Sequence, residues 1–317
     1  MGYYRYAIIG AGAVGGLYGG MLQRAGRDVH FLVRTDYDHL RQHGLRVASP
    51  WAAVALPTVH AYRHAEDLPA CDVVCVCLKT TQNHLLPELL APVVRPGTII
   101  VLMQNGLGAE EEVAAAFPAA KVAGGLCYLC STKRAPGDIH HLDYGDITFA
   151  AYSDGMDRPL ERILTDFLSA GIPCKIAPHL ATARWKKLVW NIPYSGLCVT
   201  LNAETNEIQA DPAKRQLATA LIREVITGGR ACGCDIDETF ADWILEFTDK
   251  MKPYSPSMKL DYLAKRPLEI EYLYRRPLAA AQKAGCALPR IAALADELTR
   301  LDVQNRGTGI LPVRNLQ

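Results

Sequence analysis

The chain begins with a short apolar run that leads into a glycine-rich turn, Tyr4-Arg5-Tyr6-Ala7-Ile8-Ile9-Gly10-Ala11-Gly12-Ala13-Val14-Gly15. The last six residues fit the pattern G-x-G-x-x-G, which indicates dinucleotide binding when a strand precedes it and a helix follows. Both are expected here, because a helical pattern follows at Ala13–Arg24 and a second strand at Asp28–Val33. Gly10 would allow the tight turn, Gly12 the approach of a pyrophosphate, and Gly15 close packing of helix on strand. The alternative is a tight turn that binds nothing.

Strand and helix patterns alternate over the first half of the chain, which is typical of a parallel sheet covered by helices. From about Pro178 the pattern becomes almost entirely helical. We therefore predict an α/β chain with an N-terminal Rossmann-type dinucleotide-binding domain and a mostly α-helical C-terminal domain. The expected ranges are 1–177 for the first domain, 178–303 for the second and 304–317 for a loose tail, which lacks periodicity.

Composition excludes several classes of function. A chain of 317 residues corresponds to about two domains at roughly 150 residues each. Its 34 basic and 33 acidic residues give a net charge of +1, so no overall field would attract nucleic acid or an anionic membrane. We find no apolar run of about 18 residues and no signal-peptide pattern. These features predict a cytoplasmic protein that binds neither nucleic acid nor membrane; a homodimer is compatible with the sequence, which leaves the oligomeric state open.

The ten cysteines suggest a reducing compartment rather than disulfides. Cys71, Cys75 and Cys77 lie in a run that is typical of a buried strand, where a thiol packs as a small apolar group. Cys127 and Cys130 form a C-x-x-C pattern without a second pair at zinc spacing. The histidines show no metal spacing either. We therefore expect these residues to pack, and we predict no metal site.

Three polar side chains follow predicted strands, at the edge where open α/β sheets bind ligands. Arg34 stands where enzymes that use NAD place an acid on the ribose, and its guanidinium suits a 2′-phosphate. Asp36 comes two positions too late for that acid. Lys79 can neutralise phosphate, and Asn105 can offer a donor and an acceptor to a nicotinamide amide or a substrate oxygen. The pattern favours NADP(H); the alternatives are a solvent-exposed Arg34 and an ordinary turn at Asn105-Gly106.

Three polar residues share one face of a predicted apolar helix in the second half, Lys187, Asn191 and Ser195, at spacings of four residues. Such a set suggests a binding site, although a solvated polar stripe gives the same spacing. Pro193 is expected to kink this helix. Ser257 and Glu269 complete the candidates; the simplest interpretation of Glu269 is a carboxylate in the first turn of a helix that starts at Pro267.

Taken together, these residues resemble the ketopantoate reductases, the 2-dehydropantoate 2-reductases of pantothenate and coenzyme A biosynthesis. The resemblance covers nearly the whole chain. It is carried by the glycine fingerprint and by Arg34, Leu78-Lys79, Gln104-Asn105-Gly106, Trp185-x-Lys187-Leu188-x-x-Asn191, Ser257-Met258 and Glu269-Ile270-x-Tyr272. It implies an NADPH-dependent oxidoreductase that reduces a 2-keto acid.

The resemblance also implies a role for each residue. Lys187 would be the catalytic proton donor, and Asn191 and Ser257 would bind the keto acid. Asn105 would lie by the nicotinamide and the substrate, with Glu269 near the same end of the cofactor. Arg34 and Lys79 would hold the 2′-phosphate region, and Cys130 falls where the family has a backbone contact to NADP.

The sequence departs from the family pattern at one place. Ser195 stands where members commonly have a second asparagine, so it would contact the substrate with a shorter side chain, and a water could fill the gap. This change leaves open a reductase of another branched 2-keto acid. A non-catalytic NADP-binding sensor is the alternative from another class of protein; it would need the fingerprint and Arg34 but not the residues of the helical half.

Overall fold

The computed structural model describes residues 3–307 of the chain. These residues form two compact units that divide between Ala183 and Arg184, inside the first turn of a long helix that begins at Leu180. The domain boundary expected after residue 177 lies close to this division and stays a prediction. The predicted fold class is confirmed, because the first unit contains a largely parallel sheet with helices and the second is helical.

The first unit is built on a sheet of ten strands. Parallel pairing dominates, and among residues 3–183 only the pairs β8–β9 and β3–β4 are antiparallel. The strands are β1 Arg5–Ile9, β2 Asp28–Leu32, β3 Leu45–Ala48, β4 Val54–Leu56, β5 His60–Tyr62, β6 Val73–Val76, β7 Ile99–Leu102, β8 Lys121–Ala135, β9 Asp138–Ala151 and β10 Cys174–Ile176.

The order of the strands indicates where on the sheet the candidate site lies. Six neighbouring strands have the order β5-β2-β1-β6-β7-β8. The strands that follow β1 in the chain are therefore added first on one side of it, at β2 and β5, and then on its other side, at β6, β7 and β8. The strand order thus reverses between β1 and β6. In such sheets a dinucleotide binds beyond the carboxyl ends of the strands at this reversal. Ile9 pairs with Val76 there, and Val76 pairs with Leu102 on the next strand. The residues after β1, β6 and β7 therefore emerge side by side.

Two helices of the first unit have the bounds that the sequence predicts, Ala13–Arg24 and Ala109–Ala116. Several short elements were not predicted, namely the helix Tyr37–His43 and the strands β3, β4 and β5. The helices are α1 Ala13–Arg24, α2 Tyr37–His43, α3 Leu86–Leu90, α4 Ala109–Ala116 and α5 Asp157–Ser169.

The strands β8 and β9 are much longer than expected. The sequence predicts strands at Val122–Leu126 and Asp146–Tyr152, whereas the structure extends the pair into a ribbon that turns at Gly137. Residues 131–145 of the added part are mostly polar and mix buried with exposed side chains, so they lack the apolar run by which a buried strand is recognised. This ribbon carries Cys130, one of the candidate residues.

The second unit consists of helices. One of them, α6, runs continuously through Pro193, and the predicted kink stays a prediction. The helices are α6 Leu180–Thr200, α7 Thr205–Ala210, α8 Pro212–Ala231, α9 Phe240–Lys250, α10 Ser257–Leu263, a π-helical turn at Glu271–Arg275, α11 Arg276–Lys283 and α12 Pro289–Arg306.

One expectation for the second unit is wrong. Regular helical structure begins at Ile270 rather than at Pro267, so Glu269 precedes the first turn; its carbonyl accepts the amide of Leu273. The last helix extends to Arg306, which forms an ion pair with Asp302 one turn earlier, and the loose tail expected from residue 304 stays a prediction. The rest of that tail, residues 308–317, lies outside the described residues.

Burial accounts for the uncharged state of the cysteines in and next to β6. Cys71 and Cys75 are buried, and burial raises the pKa of the Cys71 thiol to about 12, so the thiol is protonated and uncharged at neutral pH. Among residues 3–307 no helix is both long and apolar enough to span a bilayer. Within the same residues no group of three His, Cys, Asp or Glu side chains is arranged to hold a metal ion.

Candidate active site

The turn between β1 and α1 has the shape that a pyrophosphate needs. Gly10 has φ +95°, a conformation that favours glycine, and its amide donates to the carbonyl of Leu32 at 2.9 Å. A methyl group built on Gly12 would meet no atom within 4 Å, so the backbone there is open to close approach. The first turn of α1 carries no acidic side chain that would oppose an anion. The turn therefore fits a dinucleotide.

Gly15 allows α1 to pack closely on β1 and is not needed for access of a ligand. A methyl group there would collide with the Gly10 carbonyl oxygen and lie 2.9 Å from Cγ2 of Ile8. The helix can approach β1 only because this side chain is absent. Ala11, Ala13 and Val14 fill the rest of the turn, and the Ala13 carbonyl lies 3.4 Å from the Ser131 hydroxyl of β8.

Two candidates follow β6 and β7, as the strand order requires. Lys79 is half-buried three residues after the end of β6, and Asn105 is half-buried three residues after the end of β7. Gln104 holds their loops together, because its amide nitrogen donates to the carbonyl of Leu78 at 2.8 Å and to Oδ1 of Asn83 at 2.6 Å. The structure thus brings Lys79 and Asn105 to the same edge of the sheet as the fingerprint.

Arg34 lies two residues after β2 on that edge and is exposed. Its guanidinium makes no hydrogen bond or ion pair with another residue of the 3–307 range. The exposed, positively charged guanidinium of Arg34 can therefore bind an anion at this position. Cys130, by contrast, is buried within β8, where it is paired in register with Asp143 of β9. Its backbone contact with NADP, which the family resemblance implies, stays a prediction.

The three candidates on α6 are buried, which argues against a solvated stripe. Lys187, Asn191 and Ser195 are 8, 9 and 5% exposed. The side chains of Asn191 and Ser195 form no hydrogen bond with any other described residue. Buried polar groups are nearly always hydrogen-bonded, so these two side chains are suited to a polar ligand. A cation, an amide and a hydroxyl in a row can bind a substrate that carries carboxylate and carbonyl oxygens.

Tyr274, which is not among the residues predicted from the sequence, connects the elements that carry these candidates. Its buried hydroxyl donates to the carbonyl of Ile192 on α6 at 3.0 Å and lies 3.9 Å from the sulfur of Met258 on α10. Met258 follows Ser257, which is half-buried at the start of α10. A methyl group on Gly196 would lie 2.8 Å from this hydroxyl. The glycine one turn after Ile192 was the only sequence signal for this contact.

Glu269 is buried, and a second residue outside the predicted set helps to position it. Asp302 of α12 accepts the backbone amide of Leu268 at 3.3 Å, which fixes the chain immediately before Glu269. Asp302 also pairs with Arg306, so its negative charge is balanced. No motif in the sequence links positions 34 residues apart, and only the fold reveals this contact.

Family models and known proteins match the chain along nearly all of its length. A model described as ketopantoate reductase PanE/ApbA matches residues 6–154, and one described as ketopantoate reductase PanE/ApbA C terminal matches residues 179–302. A curated 2-dehydropantoate 2-reductase of Nostoc sp. is 50% identical over 315 residues, which is 98% of both chains.

Solved structures agree with these matches. The crystal structure of 2-dehydropantoate 2-reductase from Geobacter metallireducens has a TM-score of 0.90 and 42% identity, and the match covers 93% of this chain and 99% of that one. A ternary structure of D-mandelate dehydrogenase with NADH and anilino(oxo)acetate has a TM-score of 0.86, with 95 and 99% of the two chains covered. At 18% identity the second likeness shows the fold alone. That fold also occurs in a protein solved with NADH, so the fold does not determine which cofactor is used.

Proposed function

Because the chain belongs to the ketopantoate reductase PanE/ApbA family, we propose that it reduces 2-dehydropantoate to pantoate with NADPH. The observation that carries the proposal is the buried row of Lys187, Asn191 and Ser195 on one face of α6. A sensor that only binds NADP would have no use for a buried lysine in line with two buried polar side chains. The row therefore favours catalysis over binding alone.

The first unit carries the residues that would hold the cofactor. The Gly10–Gly15 turn would receive the pyrophosphate at the N-terminus of α1, and Arg34 and Lys79 would neutralise the 2′-phosphate. Asn105 would contact the nicotinamide end; for Glu269 the same role is what the family resemblance implies. Ketopantoate reductases use NADPH. The exposed Arg34 and the open space at Gly12 fit that cofactor.

The reaction assigns a task to each residue of the second unit. When bound, NADPH supplies the hydride that converts the ketone carbon into an alcohol carbon. Lys187 would stabilise the negative charge that grows on the ketone oxygen and then donate a proton from Nζ to that oxygen. Asn191 and Ser257 would hold the keto acid by hydrogen bonds, and Ser195 would do so with one hydroxyl. Burial of the row excludes water and strengthens these interactions.

The assignment is tested by following oxidation of NADPH with purified protein and a panel of 2-keto acids. We expect the fastest turnover with 2-dehydropantoate. A higher kcat/KM on another branched 2-keto acid would assign that substrate and implicate the short side chain of Ser195. Absence of oxidation with every member of a broad panel would contradict the enzyme and favour the sensor.

A second prediction concerns the choice of cofactor. Replacing Arg34 by alanine removes a charge-assisted contact that contributes about 1.5–3 kcal/mol, or roughly one to two powers of ten in affinity. Arg34→Ala should weaken NADPH by that factor and leave NADH almost unchanged. The measurement is a fluorescence titration of both cofactors without substrate.

Arg95→Ala is the matched control for this experiment. Arg95 is also an exposed arginine of the first unit, but it precedes β7 and so lies at the opposite edge of the parallel strands. Its replacement should leave both affinities unchanged. Equal affinities of the wild type for NADH and NADPH would show that Arg34 does not distinguish the two cofactors by binding the 2′-phosphate.

A further inference from the structure

An acidic residue, Asp36, lies next to the proposed 2′-phosphate site, and the ammonium group of Lys133 neutralises its charge. Asp36 follows Arg34 by two residues at the start of α2. Lys133 of β8 places its Nζ atom 2.8 Å from Oδ1 and 2.9 Å from Oδ2 of this carboxylate. The Thr35 hydroxyl donates to the same Oδ1 at 3.0 Å. The Asp36 side chain is only 5% exposed, whereas that of Lys133 is 34% exposed.

This carboxylate matters for the cofactor because of where it stands. Enzymes that use NAD accept a ribose hydroxyl with an acid at the end of the second strand, and an ionised acid there repels a 2′-phosphate. Asp36 stands two positions later than that acid, so it is not the ribose ligand itself, but an unpaired carboxylate there would still place a negative charge near Arg34. With both oxygens bonded to an ammonium group, it neither presents a free acceptor nor adds a net negative charge beside Arg34.

The β8–β9 ribbon fixes the position of Lys133. Within the ribbon Lys133 is paired in register with Ile139 of β9. Ile139 packs so closely on α1 that a methyl group at Gly16 would lie 2.6 Å from its Cγ1 atom. At the ribbon's turn, the Gly137 carbonyl accepts the amide of Arg46 of β3 at 2.8 Å. Contacts on both sides thus hold the ribbon across the carboxyl end of β2.

We propose that Lys133 determines cofactor preference by neutralising Asp36, so that the loop after β2 accepts the 2′-phosphate of NADPH instead of the free ribose hydroxyl of NADH. Lys133 acts through Asp36 and is a positioning residue. The proposal rests on the use of NADPH proposed above. It adds a side chain of β8, the strand that also carries Cys130, to the proposed site after β2.

The test is a set of titrations with NADPH and with NADH, in the absence of substrate, on four variants. Lys133→Met removes the charge and keeps the length of the side chain. It should weaken NADPH about tenfold and leave NADH equal or tighter, because an ionised Asp36 then faces the phosphate. Asp36→Asn in the Lys133→Met background should restore the wild-type ratio of the two affinities. Lys133→Arg, which keeps the charge, should retain that ratio.

The double variant separates the proposal from its alternatives. If Lys133 bound the phosphate directly, the double variant would bind NADPH as weakly as Lys133→Met does, and the proposal would be wrong. If Lys133 only supported the fold, both cofactors would weaken equally and the ratio would not change. If Lys133→Met does not fold, Asp36→Asn alone decides the question. It releases Lys133 as an additional cation and should raise the preference for NADPH several-fold, whereas an unchanged preference would overturn the proposal.

Titration of the wild type shows whether a negative result contradicts this inference or the proposed function. A wild type without preference for NADPH would contradict the proposed cofactor itself. A wild type that prefers NADPH, together with variants that keep its ratio, would contradict only the role of Lys133. Thermal unfolding of each variant, recorded without cofactor, shows whether a change in affinity has a structural origin.

Discussion

Lys187→Ala should fold, bind NADPH with unchanged affinity and lose most of its turnover. Donation of a proton by a positioned side chain contributes about 10²–10⁴-fold to rate, and kcat should fall by that factor. Lys187 is buried on the α6 face that also carries Asn191, where the proposed substrate would bind. The measurement is kcat and KM on the best 2-keto acid, with a separate titration of NADPH.

Lys186→Ala is the control for this prediction. The neighbouring lysine lies on the same helix but is half-buried, and its ammonium lies 6.0 Å from the ring centre of Phe240. Its loss should change kcat by less than twofold, since a cation–π contact at this distance contributes roughly 0.5–1 kcal/mol to stability and has no part in the reaction. A Lys187→Ala variant with the wild-type rate would show that Lys187 is not the proton donor.

The sequence predicted the fold well where local patterns and tertiary structure agree. The glycine fingerprint, the strand β6 and the helix α8 are each continuous in sequence. β6 is apolar and buried along its whole length, and the helical periodicity of α8 matches its buried face. The ribbon of β8 and β9 was only partly predicted. Its outer half is stabilised by pairing between strands, and such pairing leaves little apolar signal in either strand alone.

The same distinction holds for the site. Lys187, Asn191 and Ser195 could be found because a helix brings residues four apart onto one face. The contacts of Tyr274 with Ile192, of Asp302 with Leu268 and of Lys133 with Asp36 join residues that are 34 to 97 positions apart. No spacing rule predicts such contacts. They support or tune the candidate residues, and the fold is needed to recognise them.

Asp166→Ala should destabilise the first unit by about 3–5 kcal/mol, because it leaves a buried arginine without its counter-charge. Asp166 and Arg27 are both buried, and Nε of Arg27 lies 3.0 Å from Oδ1 of Asp166. The buried hydroxyl of Tyr6 donates to Oδ2 at 2.7 Å, and burial together with this carboxylate raises the pKa of Tyr6. Denaturation by urea, followed by circular dichroism, measures the loss.

This loss should leave cofactor binding intact. Tyr6 lies near the start of β1 and Arg27 directly precedes β2, whereas the fingerprint follows the end of β1. The network therefore lies at the opposite edge of the parallel strands from the proposed phosphate site. Under conditions in which the variant is folded, its affinity for NADPH should match that of the wild type.

Two further variants separate the buried charge from simple loss of contacts. Tyr6→Phe removes only one hydrogen bond and should cost about 1 kcal/mol. Replacing Arg27 by methionine together with Asp166→Ala should be less destabilising than Asp166→Ala alone, because no buried charge then lacks a partner. If Asp166→Ala cost less than about 1 kcal/mol, Arg27 would have to reach water when its partner is removed, and the network would not stabilise the sheet.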